Sequence, residues 1–477
     1  MTEKIKILII SYGSRAAAIL DAFRTSNYAI NFFVVDKQKN PFHAKYAKVH
    51  KVIPDLDVEK IAKFAAAYKR RINFGICGPE APIINGIRNR LEALEIPMIC
   101  PTTEVAIEKS KAWQRQLAEE ITPNATPKFK IFDPEQISKE KIKSEVYSWL
   151  DKIGDEIAIK PVGITAGKGV GVWGDHFNTR ADLFDFFMSN FEHGPVILEE
   201  KVVGEEFSLQ FFADGKHIVA TPSCRDYKRA FDGDKGPNTG GMGSYKDTGN
   251  ILPFMNKSDW DKAISIGERL FKKLSQRDNT ALRGVALYMA YICTSDGVKF
   301  LEINSRPGDP EIMNILPVLK DDFVDVCFKI NDGNLTSLDF APLASVVTYK
   351  VPPTYGGNTS IPPTDSTVDL SGVYEFQKEH KDKIFVYPGS MQVDDAGKTI
   401  TLKSRTVAVV GLGETIEAAR ELSLKGINKI SGANLWYRTD IASKEHINRS
   451  IRHMKQLRTN ISRANNSQFP LSKEFMR

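Results

Sequence analysis

The sequence predicts a multidomain chain of α/β and α+β architecture, with a doubly wound α/β domain at its N-terminus. Near the N-terminus, short β-branched runs alternate with helical patterns; two hairpin patterns occupy the middle, and β-branched runs recur beyond residue 341. A length of 477 residues with 42% hydrophobic residues supplies apolar material for several cores. These proportions exclude a disordered, collagenous or disulfide-scaffold protein.

The N-terminal segment alternates strand and helix patterns. Lys4–Ile10 and Asn31–Asp36 are short apolar runs rich in β-branched residues, and Asn73–Cys77 is a third predicted strand. Gly13 follows the first run and precedes the helical pattern Ala16–Arg24. Strands that alternate with helices predict a parallel, doubly wound sheet. A dinucleotide site has weak support, because only one glycine stands where the fingerprint needs three.

The middle and C-terminal parts of the sequence predict further strands in a mixed architecture. Two hairpins are expected around the turns Asp214-Gly215 and Asp296-Gly297. A helix is expected at Thr415–Leu424. The other predicted strands are Phe129–Phe132, Glu156–Pro161, Val196–Glu200, Ser345–Lys350, Ile384–Val386, Lys398–Lys403 and Val407–Val410.

The net charge is concentrated at the C-terminus. The chain has 65 Lys and Arg against 59 Asp and Glu, a formal charge of +6. Residues 444–477 contain eight basic and two acidic side chains and therefore account for the whole excess. A neutral body argues against a nucleic-acid-binding surface. Ile447, Ile451, Met454 and Leu457 form an amphipathic stripe, which predicts a helix that packs onto the body or a neighbouring subunit.

The spacing of cysteines and histidines gives no metal or disulfide motif. The five cysteines include no CxxC pair, which favours a reduced, cytoplasmic protein. The N-terminal apolar run is too short for a membrane span and is not followed by a small-residue cleavage site, so no membrane association is expected. The eight histidines show no metal-ligand spacing, and His446 and His453 fit a solvated helix face.

A glycine-rich loop, Gly163–Gly171, follows the predicted strand that ends near Lys160. Closely spaced glycines let backbone N–H groups approach phosphate oxygens, and Lys160 and Lys168 add positive charge. The loop is not a Walker A motif, because the glycine spacing differs and no Ser or Thr follows Lys168. The sequence therefore predicts a phosphate-binding loop of another type, with a flexible hairpin loop as the alternative.

The strand Lys299–Asn304 carries the strongest chemical pattern. Glu302 and Asn304 share one face of the strand, because side chains alternate with a period of two. Two oxygen ligands on one face suit Mg²⁺, which takes further ligands from phosphates and water. Arg306 can reach a carboxylate or phosphoryl oxygen. The alternative is a surface strand with ordinary polar side chains, but apolar residues flank Glu302 on both sides.

Two further polar segments extend the candidate site. Glu199–Glu206 places carboxylates on both sides of a short connector, where they can accept hydrogen bonds from an adenine amino group or from ribose hydroxyls. A solvated edge is the alternative. Pro222–Arg229 is rich in charge, and Asp232–Gly243 is rich in glycine. Such a loop fits closely over a ligand and exposes backbone donors, with a disordered surface loop as the alternative.

Together these segments resemble the phosphoribosylamine–glycine ligase (glycinamide ribonucleotide synthetase) family, ATP-grasp ligases of purine biosynthesis. The sequence GPNTGGMG, joined to a strand end that contains GDPE, is specific to this family among ATP-grasp ligases. The resemblance extends from near residue 5 to about residue 441. The matching segments are Gly78–Gly86, Ile107–Trp113, Lys160–Val170, Glu199–Ser208, Asp226–Gly243, Glu302–Glu311 and Tyr437–Ile441.

The resemblance implies a division of the chain into domains. The N-terminal doubly wound α/β domain would span residues 1–107. A central ATP-grasp fold would span 108–340 and include a small lid subdomain at about 127–200. A C-terminal β-rich domain would span 341–443, and a basic helical extension 444–477.

The resemblance also implies roles for individual residues. ATP would be bound by Lys111, Lys160, Gly167, Lys168, Gly169, Glu199, Val202 and Glu206. Mg²⁺, with Mn²⁺ as a substitute, would be bound by Glu302 and Asn304. The catalytic residues would be Arg306, Lys160 and Asp309. The substrates glycine and phosphoribosylamine would be bound by Gly13, Glu80, Asp226, Lys228, Arg229, Asn238, Thr239 and Gly240.

The implied reaction joins glycine to 5-phosphoribosylamine through a glycyl phosphate at the expense of ATP. The family pattern is altered on the phosphoribosylamine side. Ala16 and Ala17 replace a glutamate–histidine pair, Tyr227 replaces a histidine, Pro307 replaces a phenylalanine, and Val386–Ser390 replaces Phe-His-Ala-Gly-Thr. Two alternatives stay open: a ligase that joins another amine to an amino acid or other carboxylate, and a non-catalytic nucleotide-binding protein. A monomer or homodimer without a nucleic-acid partner is expected.

Overall fold

The computed structural model of the chain describes residues 4–163, 169–276, 278–358, 360–361 and 366–467. The elements of its N-terminal part are β1 (Ile5–Ile10), α1 (Gly13–Arg24), β2 (Ile30–Asp36), α2 (Pro41–Tyr46), β3 (Val49–Val52), α3 (Val58–Ala66), β4 (Phe74–Cys77), α4 (Glu80–Ile84), α5 (Ile87–Glu92) and β5 (Met98–Ile99). Short 3₁₀ helices along the chain cover Lys69–Arg71, Ile107–Lys109, Pro123–Ala125, Leu316–Val318 and Tyr355–Gly357.

The N-terminal sheet has the strand order β3-β2-β1-β4-β5, and neighbouring strands are parallel. Ile7 and Ile9 of β1 lie in one hydrophobic cluster with residues of α1. Leu8 and Ile10 lie in a second cluster, with residues of α3 and α5, on the other face. A parallel sheet buried on both faces confirms the predicted doubly wound domain.

The central part contains both helices and strands. Its elements are α6 (Lys111–Ile121), β6 (Phe129–Phe132), α7 (Lys139–Ile153), β7 (Ile157–Pro161), β8 (Gly171–Val172), α8 (Arg180–Phe191), β9 (Val196–Glu200), β10 (Glu205–Asp214), β11 (Ile218–Ala220), β12 (Arg225–Asp226), β13 (Arg229–Phe231), β14 (Lys235–Asn238), β15 (Gly243–Lys246), α9 (Lys257–Ser275), β16 (Arg283–Thr294), β17 (Gly297–Asn304), α10 (Ile312–Ile315) and α11 (Phe323–Asp332).

Two antiparallel sheets organise this part. The smaller sheet has the order β6-β9-β7-β8 and forms its own hydrophobic core with α7 and α8. The larger sheet has the order β11-β10-β16-β17. Both predicted hairpins are confirmed, since β10 pairs with β11 and β16 pairs with β17. The ends of β7 and β17, which carry the candidate phosphate and metal residues, therefore belong to different sheets.

The C-terminal part is rich in short strands, as predicted. Its elements are β18 (Ala344–Lys350), β19 (Val368–Asp369), α12 (Ser371–Glu379), β20 (Ile384–Pro388), β21 (Met391–Val393), β22 (Thr399–Thr401), β23 (Val407–Gly413), α13 (Ile416–Asn428), β24 (Ser431–Gly432) and α14 (Lys444–Ser467).

The main C-terminal sheet takes strands from two distant parts of the chain. Its order is β12-β15-β18-β23-β20, and its neighbouring strands are antiparallel. In the pairing of β15 with β18, Gly243 lies opposite Thr348 and Lys246 lies opposite Ser345. The sheet therefore crosses the predicted boundary at residue 341, and the predicted division into domains stays a prediction.

The helix of the basic extension, α14, packs onto the central part. Met454 is only 1% exposed and belongs to the main hydrophobic cluster. His453 Nδ1 lies 2.6 Å from Glu205 Oε1 on β10, and Arg458 Nη2 donates a hydrogen bond to Asp259 Oδ2 at 2.6 Å. These contacts confirm the prediction that the amphipathic stripe packs onto the body.

The interpretation of His446 and His453 as a solvated helix face is wrong. His446 is buried, and its ring centroid lies 4.9 Å from that of Tyr227. Its Nε2 lies 2.7 Å from Asp234 Oδ2. Sequence periodicity alone did not reveal these partners, because both of them come from segments more than 200 residues earlier in the chain.

We expect Met454→Ala to lower the free energy of unfolding by about 2–5 kcal/mol, because the change removes a buried side chain and leaves a cavity. Urea denaturation followed by circular dichroism measures this difference. Arg452→Ala, at an exposed position of the same helix, is the control and should change stability by less than about 0.5 kcal/mol. Equal stability of Met454→Ala and the wild-type protein would contradict the packing of α14.

Candidate active site

The N-terminal end of α6 carries the first predicted phosphate ligand. The side chain of Ser110 caps the helix by accepting a backbone hydrogen bond at 3.2 Å, which fixes Lys111 in the first turn. The Lys111 ammonium donates to the carbonyl of Gly163 at 2.8 Å, where the glycine-rich loop begins. Burial lowers the pKa of Lys111, against the effect of Glu302, and Lys160 lowers it further. Lys111 therefore lies near both Lys160 and Glu302.

Lys160, Glu199 and Arg115 form a buried ion cluster that joins β7, β9 and α6. Glu199 Oε1 contacts the Lys160 ammonium, and Glu199 Oε2 accepts a hydrogen bond from Arg115 Nε at 2.7 Å. The side chains of Arg115 and Glu199 are both 3% exposed. Burial alone would raise the pKa of Glu199, but the two cations outweigh it and lower the pKa to about 2. This carboxylate is paired with two cations, and the role of Glu199 at the adenine stays a prediction.

The glycine-rich loop is described only at its two ends. Gly167 and Lys168 lie outside the described residues. Gly169 has a φ of +80°, which strains any residue with a side chain, and a Cβ added there would lie 2.8 Å from Asn190 Oδ1. The far end of the loop therefore packs against α8.

Glu206, at the start of β10 just after the connector from β9, contacts Lys228. Lys228 Nζ donates to Glu206 Oε2 at 2.6 Å, and this cation lowers the pKa of Glu206 against the effect of burial. Burial would lower the pKa of Lys228, but Glu206, Glu302 and Asp226 raise it above its ordinary value. Val202 lies half-buried in the same connector. The predicted ribose residue thus lies near the predicted metal and substrate residues.

Glu302 and Asn304 lie at the end of β17, opposite Ala290 and Tyr288 of β16. Glu302 makes no ion pair with any lysine or arginine that the structure describes. Asn304 Oδ1 lies 3.5 Å from Arg306 Nη2. A carboxylate and an amide oxygen at alternate positions of one strand match the oxygen ligands that Mg²⁺ prefers, so the donor set fits this ion.

Arg306 is a partly buried cation between two carboxylates. Its Nε lies 3.4 Å from Glu80 Oε2, and its Nη2 lies 3.4 Å from Glu108 Oε1. Burial would lower the pKa of Arg306, but Glu108 and Glu80 raise it above its ordinary value. The Nε–H group has no hydrogen-bond partner among the described residues. The two carboxylates therefore keep Arg306 charged.

Asp309 is held by two side chains of the C-terminal part. Tyr349 Oη donates to Asp309 Oδ1 at 2.7 Å, and Arg405 Nη2 lies 3.0 Å from Asp309 Oδ2. Arg405 Nη1 donates to the carbonyl of Asp309 at 3.0 Å and also to the carbonyl of Gly240. Arg405 therefore connects the segment after β17 with Gly240, one of the predicted substrate residues.

The carboxyl groups of Glu311, which is buried, and Asp226, which is half-buried, interact with each other. Tyr288 Oη donates to Glu311 Oε1 at 2.6 Å, whereas Asp226 Oδ1 has no hydrogen-bond partner among the described residues. Burial raises the pKa of both groups, and Glu311 raises that of Asp226 further. A Cβ on Gly241, whose φ is +102°, would lie 2.6 Å from Asp226 Oδ1. The pair can accept hydrogen bonds from a substrate amino group.

The β13–β14 hairpin carries other predicted substrate residues. Arg229 lies opposite Asn238 in this hairpin, and Asn238 is exposed. The Arg229 guanidinium pairs with Asp175, which follows β8 of the smaller sheet. Thr239 Oγ1 donates to the carbonyl of Lys228 at 2.9 Å. The structure thus links this hairpin to the smaller sheet and to Lys228.

The first turn of α1 brings the altered family positions together. The helix begins at Gly13, three residues before the predicted Ala16. Ser14 Oγ donates to the carbonyl of Tyr387 at 2.8 Å, and Arg15 Nη1 donates to the carbonyl of Pro307 at 2.9 Å. Three segments that depart from the family pattern therefore meet on one side of the site.

Sequence reasoning missed Arg115, Glu108 and Arg405. Arg115 follows Lys111 by four residues, and this helical spacing places the two side chains on one face, so a signal was available. Glu108 stands within a segment that was matched as a motif without a role for its carboxylate. No local pattern connects Arg405 with Asp309, because only the fold brings them together.

The two antiparallel sheets, with lysines on one and an acidic strand end on the other, define the class of ATP-grasp enzymes. Residues 5–108 match the family model "Phosphoribosylglycinamide synthetase, N domain". Residues 109–312 match "Phosphoribosylglycinamide synthetase, ATP-grasp (A) domain". The chain belongs to the phosphoribosylglycinamide synthetase family, also called the phosphoribosylamine–glycine ligases.

Full-length relatives support this membership. The chain is 37% identical to phosphoribosylamine–glycine ligase of Methanosarcina acetivorans, over 96% of this chain and 99% of the relative. It is 36% identical to the enzyme of Methanosarcina barkeri, over 95% and 100%. The expectation that the resemblance ends near residue 441 is wrong. A match that covers 96% of a chain of 477 residues must extend beyond residue 441.

Solved structures show the same fold. Phosphoribosylamine–glycine ligase of Thermotoga maritima matches with a TM-score of 0.70 at 23% identity, covering 92% of this chain and 100% of that chain. An ADP complex of N5-carboxyaminoimidazole ribonucleotide synthetase matches with a TM-score of 0.60 at 14% identity, over 90% and 98%. Among the residues described, none of the helices has the length and apolar character to cross a membrane.

We expect Glu199→Gln to destabilise the protein by about 3–5 kcal/mol near neutral pH, because two cations stay buried without their carboxylate. The pKa of Glu199 is lowered from 4.5 to about 2 on folding. Its stabilising contribution is therefore complete above pH 4.5 and is lost as the pH falls towards 2. Urea denaturation of both proteins over this pH range measures the difference, which should narrow on acidification.

The matched control for this prediction is Glu200→Gln at the next position. Glu200 is partly exposed and pairs with Lys299 at 2.8 Å, so its loss should cost at most about 1 kcal/mol. A difference between wild type and Glu199→Gln that stays constant on acidification would refute the burial of a charged Glu199.

Proposed function

We propose that the protein is an ATP-dependent ligase that forms an amide between glycine and 5-phosphoribosylamine. The products are glycinamide ribonucleotide, ADP and phosphate, a step of purine biosynthesis. The observation that carries this proposal is the convergence of Lys111, Lys160, Glu302 and Arg306 in a chain of this family. The names of the full-length relatives support the same activity.

The reaction activates a carboxylate, which is otherwise a poor electrophile. A carboxylate oxygen of glycine attacks the γ-phosphorus of ATP, ADP leaves, and glycyl phosphate forms. The amine nitrogen of phosphoribosylamine then attacks the carbonyl carbon. The C–O bond to phosphate breaks, phosphate leaves with the electron pair, and the nitrogen loses a proton to give the amide. Binding and charge stabilisation suffice, so no covalent enzyme nucleophile is needed.

The chain's own cations stabilise the negative charge of the transferred phosphoryl group. Lys111 and Lys160 would hold phosphate oxygens, and Glu199 with Arg115 fixes the position of Lys160. Arg306, which Glu80 and Glu108 keep charged, would donate to the acyl phosphate. Glu302 and Asn304 would bind Mg²⁺, which supplies neutralisation of phosphate charge.

The amine side of the site is assigned to Asp226, together with Glu311. Two carboxyl groups that form no ion pair among the described residues suit an amino group, which donates hydrogen bonds to them. Asp309, held by Arg405 and Tyr349, would face the amino-acid substrate. We assign the remaining substrate contacts to Gly13, Glu80, Lys228, Arg229, Asn238, Thr239 and Gly240.

The segment from about 127 to 200 is proposed as a lid over the nucleotide. This segment has a hydrophobic core of its own. The ion pair between Arg229 and Asp175 joins it to the β13–β14 hairpin. A closed lid excludes water, which would hydrolyse the acyl phosphate.

A ligase that acts on a different amine is the second candidate. It is favoured by the clustering of altered positions, where Ser14 bonds the carbonyl of Tyr387 and Arg15 that of Pro307. A non-catalytic role has less support, because Lys160, Glu302, Asn304 and Arg306 are all present.

Three further assignments belong to the same proposal. Mn²⁺ would substitute for Mg²⁺, since both ions prefer oxygen ligands. A cytoplasmic location is supported by five cysteines that are all buried as free thiols. The enzyme would act as a monomer or homodimer.

Phosphate release with Mg²⁺, ATP, glycine and freshly prepared phosphoribosylamine tests the activity. We expect release only when all four are present, since the acyl phosphate is productive only with its acceptor. The experiment omits each component in turn and identifies the product by mass spectrometry. Glycine-dependent release that is indifferent to phosphoribosylamine would favour the second candidate, and no release at all would favour the non-catalytic role.

Glu302→Gln should lower kcat by about 10²-fold or more, because it removes a charged ligand of the metal without changing side-chain size. Half-saturation by Mg²⁺ should shift to higher concentration. Thermal stability should stay near that of wild type, since Glu302 makes no ion pair in the described part of the chain. Asp296→Asn, at the turn of the same hairpin, is the control. Undiminished turnover of Glu302→Gln would refute the metal assignment.

A further inference from the structure

The N-terminal sheet holds a polar cluster that the proposed reaction does not use. Asp36 ends β2, His50 lies on β3, and His43 lies on α2. Val34 pairs with His50 across the parallel strands, so Asp36 and His50 lie on the same face of the sheet. The histidine spacing in the sequence gives no sign of this group, because strand pairing brings its members together.

The three side chains lie within coordination distance of one another. His43 Nδ1 is 2.6 Å from Asp36 Oδ2, and His50 Nε2 is 3.7 Å from the same oxygen. One ligand atom from each residue lies within 4.8 Å of the others. The side chains of Asp36 and His43 are fully buried, and that of His50 is 10% exposed.

The hydrogen bonding of this cluster is incomplete. The Nε2 atoms of His43 and His50 are buried without a hydrogen-bond partner among the described residues. An unsatisfied buried polar atom destabilises the folded state. Asp36 has no lysine or arginine within ion-pairing distance in the described ranges, so only imidazoles face its carboxylate. A cation bound between these groups would satisfy the carboxylate and His50 Nε2 together.

We propose that Asp36, His43 and His50 bind one divalent transition-metal ion, with Zn²⁺ as the best match. Imidazole nitrogen and carboxylate oxygen are the usual ligands of Zn²⁺, and water would complete a tetrahedral shell. Ligands of such an ion lie about 3.3 Å apart. The distance from Asp36 to His50 is close to this value, whereas His43 must move slightly, exchanging its hydrogen bond to Asp36 for a bond to the ion.

The site would fix the loop between Asp36 and His43. This loop joins the N-terminal sheet to the C-terminal part: Asn40 Nδ2 donates to the carbonyl of Pro388 at 3.0 Å, and the carbonyl of Lys39 accepts from Val393 N–H at 2.9 Å. An ion that holds both ends of the loop stabilises this contact. Its role is structural and does not depend on the proposed ligase reaction.

Zn²⁺ binding to the full-length, untagged protein tests the proposal. The protein is treated with a chelator, dialysed into excess Mg²⁺ to occupy oxygen-ligand sites, and titrated with Zn²⁺ in a calorimeter. We expect one ion per chain and a higher melting temperature. His50→Gln, at the least buried ligand, should weaken binding at least about 10-fold. His193→Gln, an exposed histidine, should bind as wild type does.

The absorption of bound Co²⁺ provides a second measurement. It needs only the His50→Gln variant, which does not change a fully buried side chain. The wild-type protein should give the visible absorption of four-coordinate Co²⁺, and His50→Gln should lose most of it. Equal Zn²⁺ affinity of wild type and His50→Gln, or absence of binding to wild type, would overturn the proposal. A Co²⁺ spectrum dominated by thiolate charge transfer would place the ion at the cysteines and overturn it as well.

Discussion

The partly buried guanidinium of Arg306 is the group on which the placement of the site residues depends. It follows β17 and lies between Glu80, at the start of α4, and Glu108, just before α6. Three parts of the chain therefore meet at one cation. A buried ion loses several kcal/mol of hydration and is tolerated only because the carboxylates compensate. This requirement fixes the N-terminal sheet relative to the strand that carries the candidate metal ligands.

The charges of the site are separated along its length. Lys111 and Lys160 lie at the end where the glycine-rich loop begins, whereas the carboxyl groups of Asp226 and Glu311 form no ion pair in the part of the chain that the structure describes. A site with this polarity would attract phosphate groups at the lysine end and a substrate amino group at the carboxyl pair. Orientation of this kind lowers the entropic part of the barrier before any bond changes.

Local patterns in the sequence predicted most of the fold. The two hairpins around Asp214 and Asp296 followed from the alternation of side chains and from turn residues. The same alternation correctly placed Glu302 and Asn304 two residues apart on one strand. The links made by Arg405 and His446 were not predictable, because their partners are distant in the chain and polar residues carry no periodic signal. Tertiary contacts decide such pairs, and a single sequence contains little information about them.

The shared C-terminal sheet has a consequence for synthesis on the ribosome. Strand β15 ends at Lys246, but its partner β18 begins only at Ala344. Translation adds about 5–20 residues per second, so roughly 5–20 s pass between the synthesis of β15 and the synthesis of β18. During this interval an edge of β15 is unpaired, and an unpaired edge can associate with other chains. The β15 segment of the newly made chain therefore needs protection until almost three quarters of the chain has been translated.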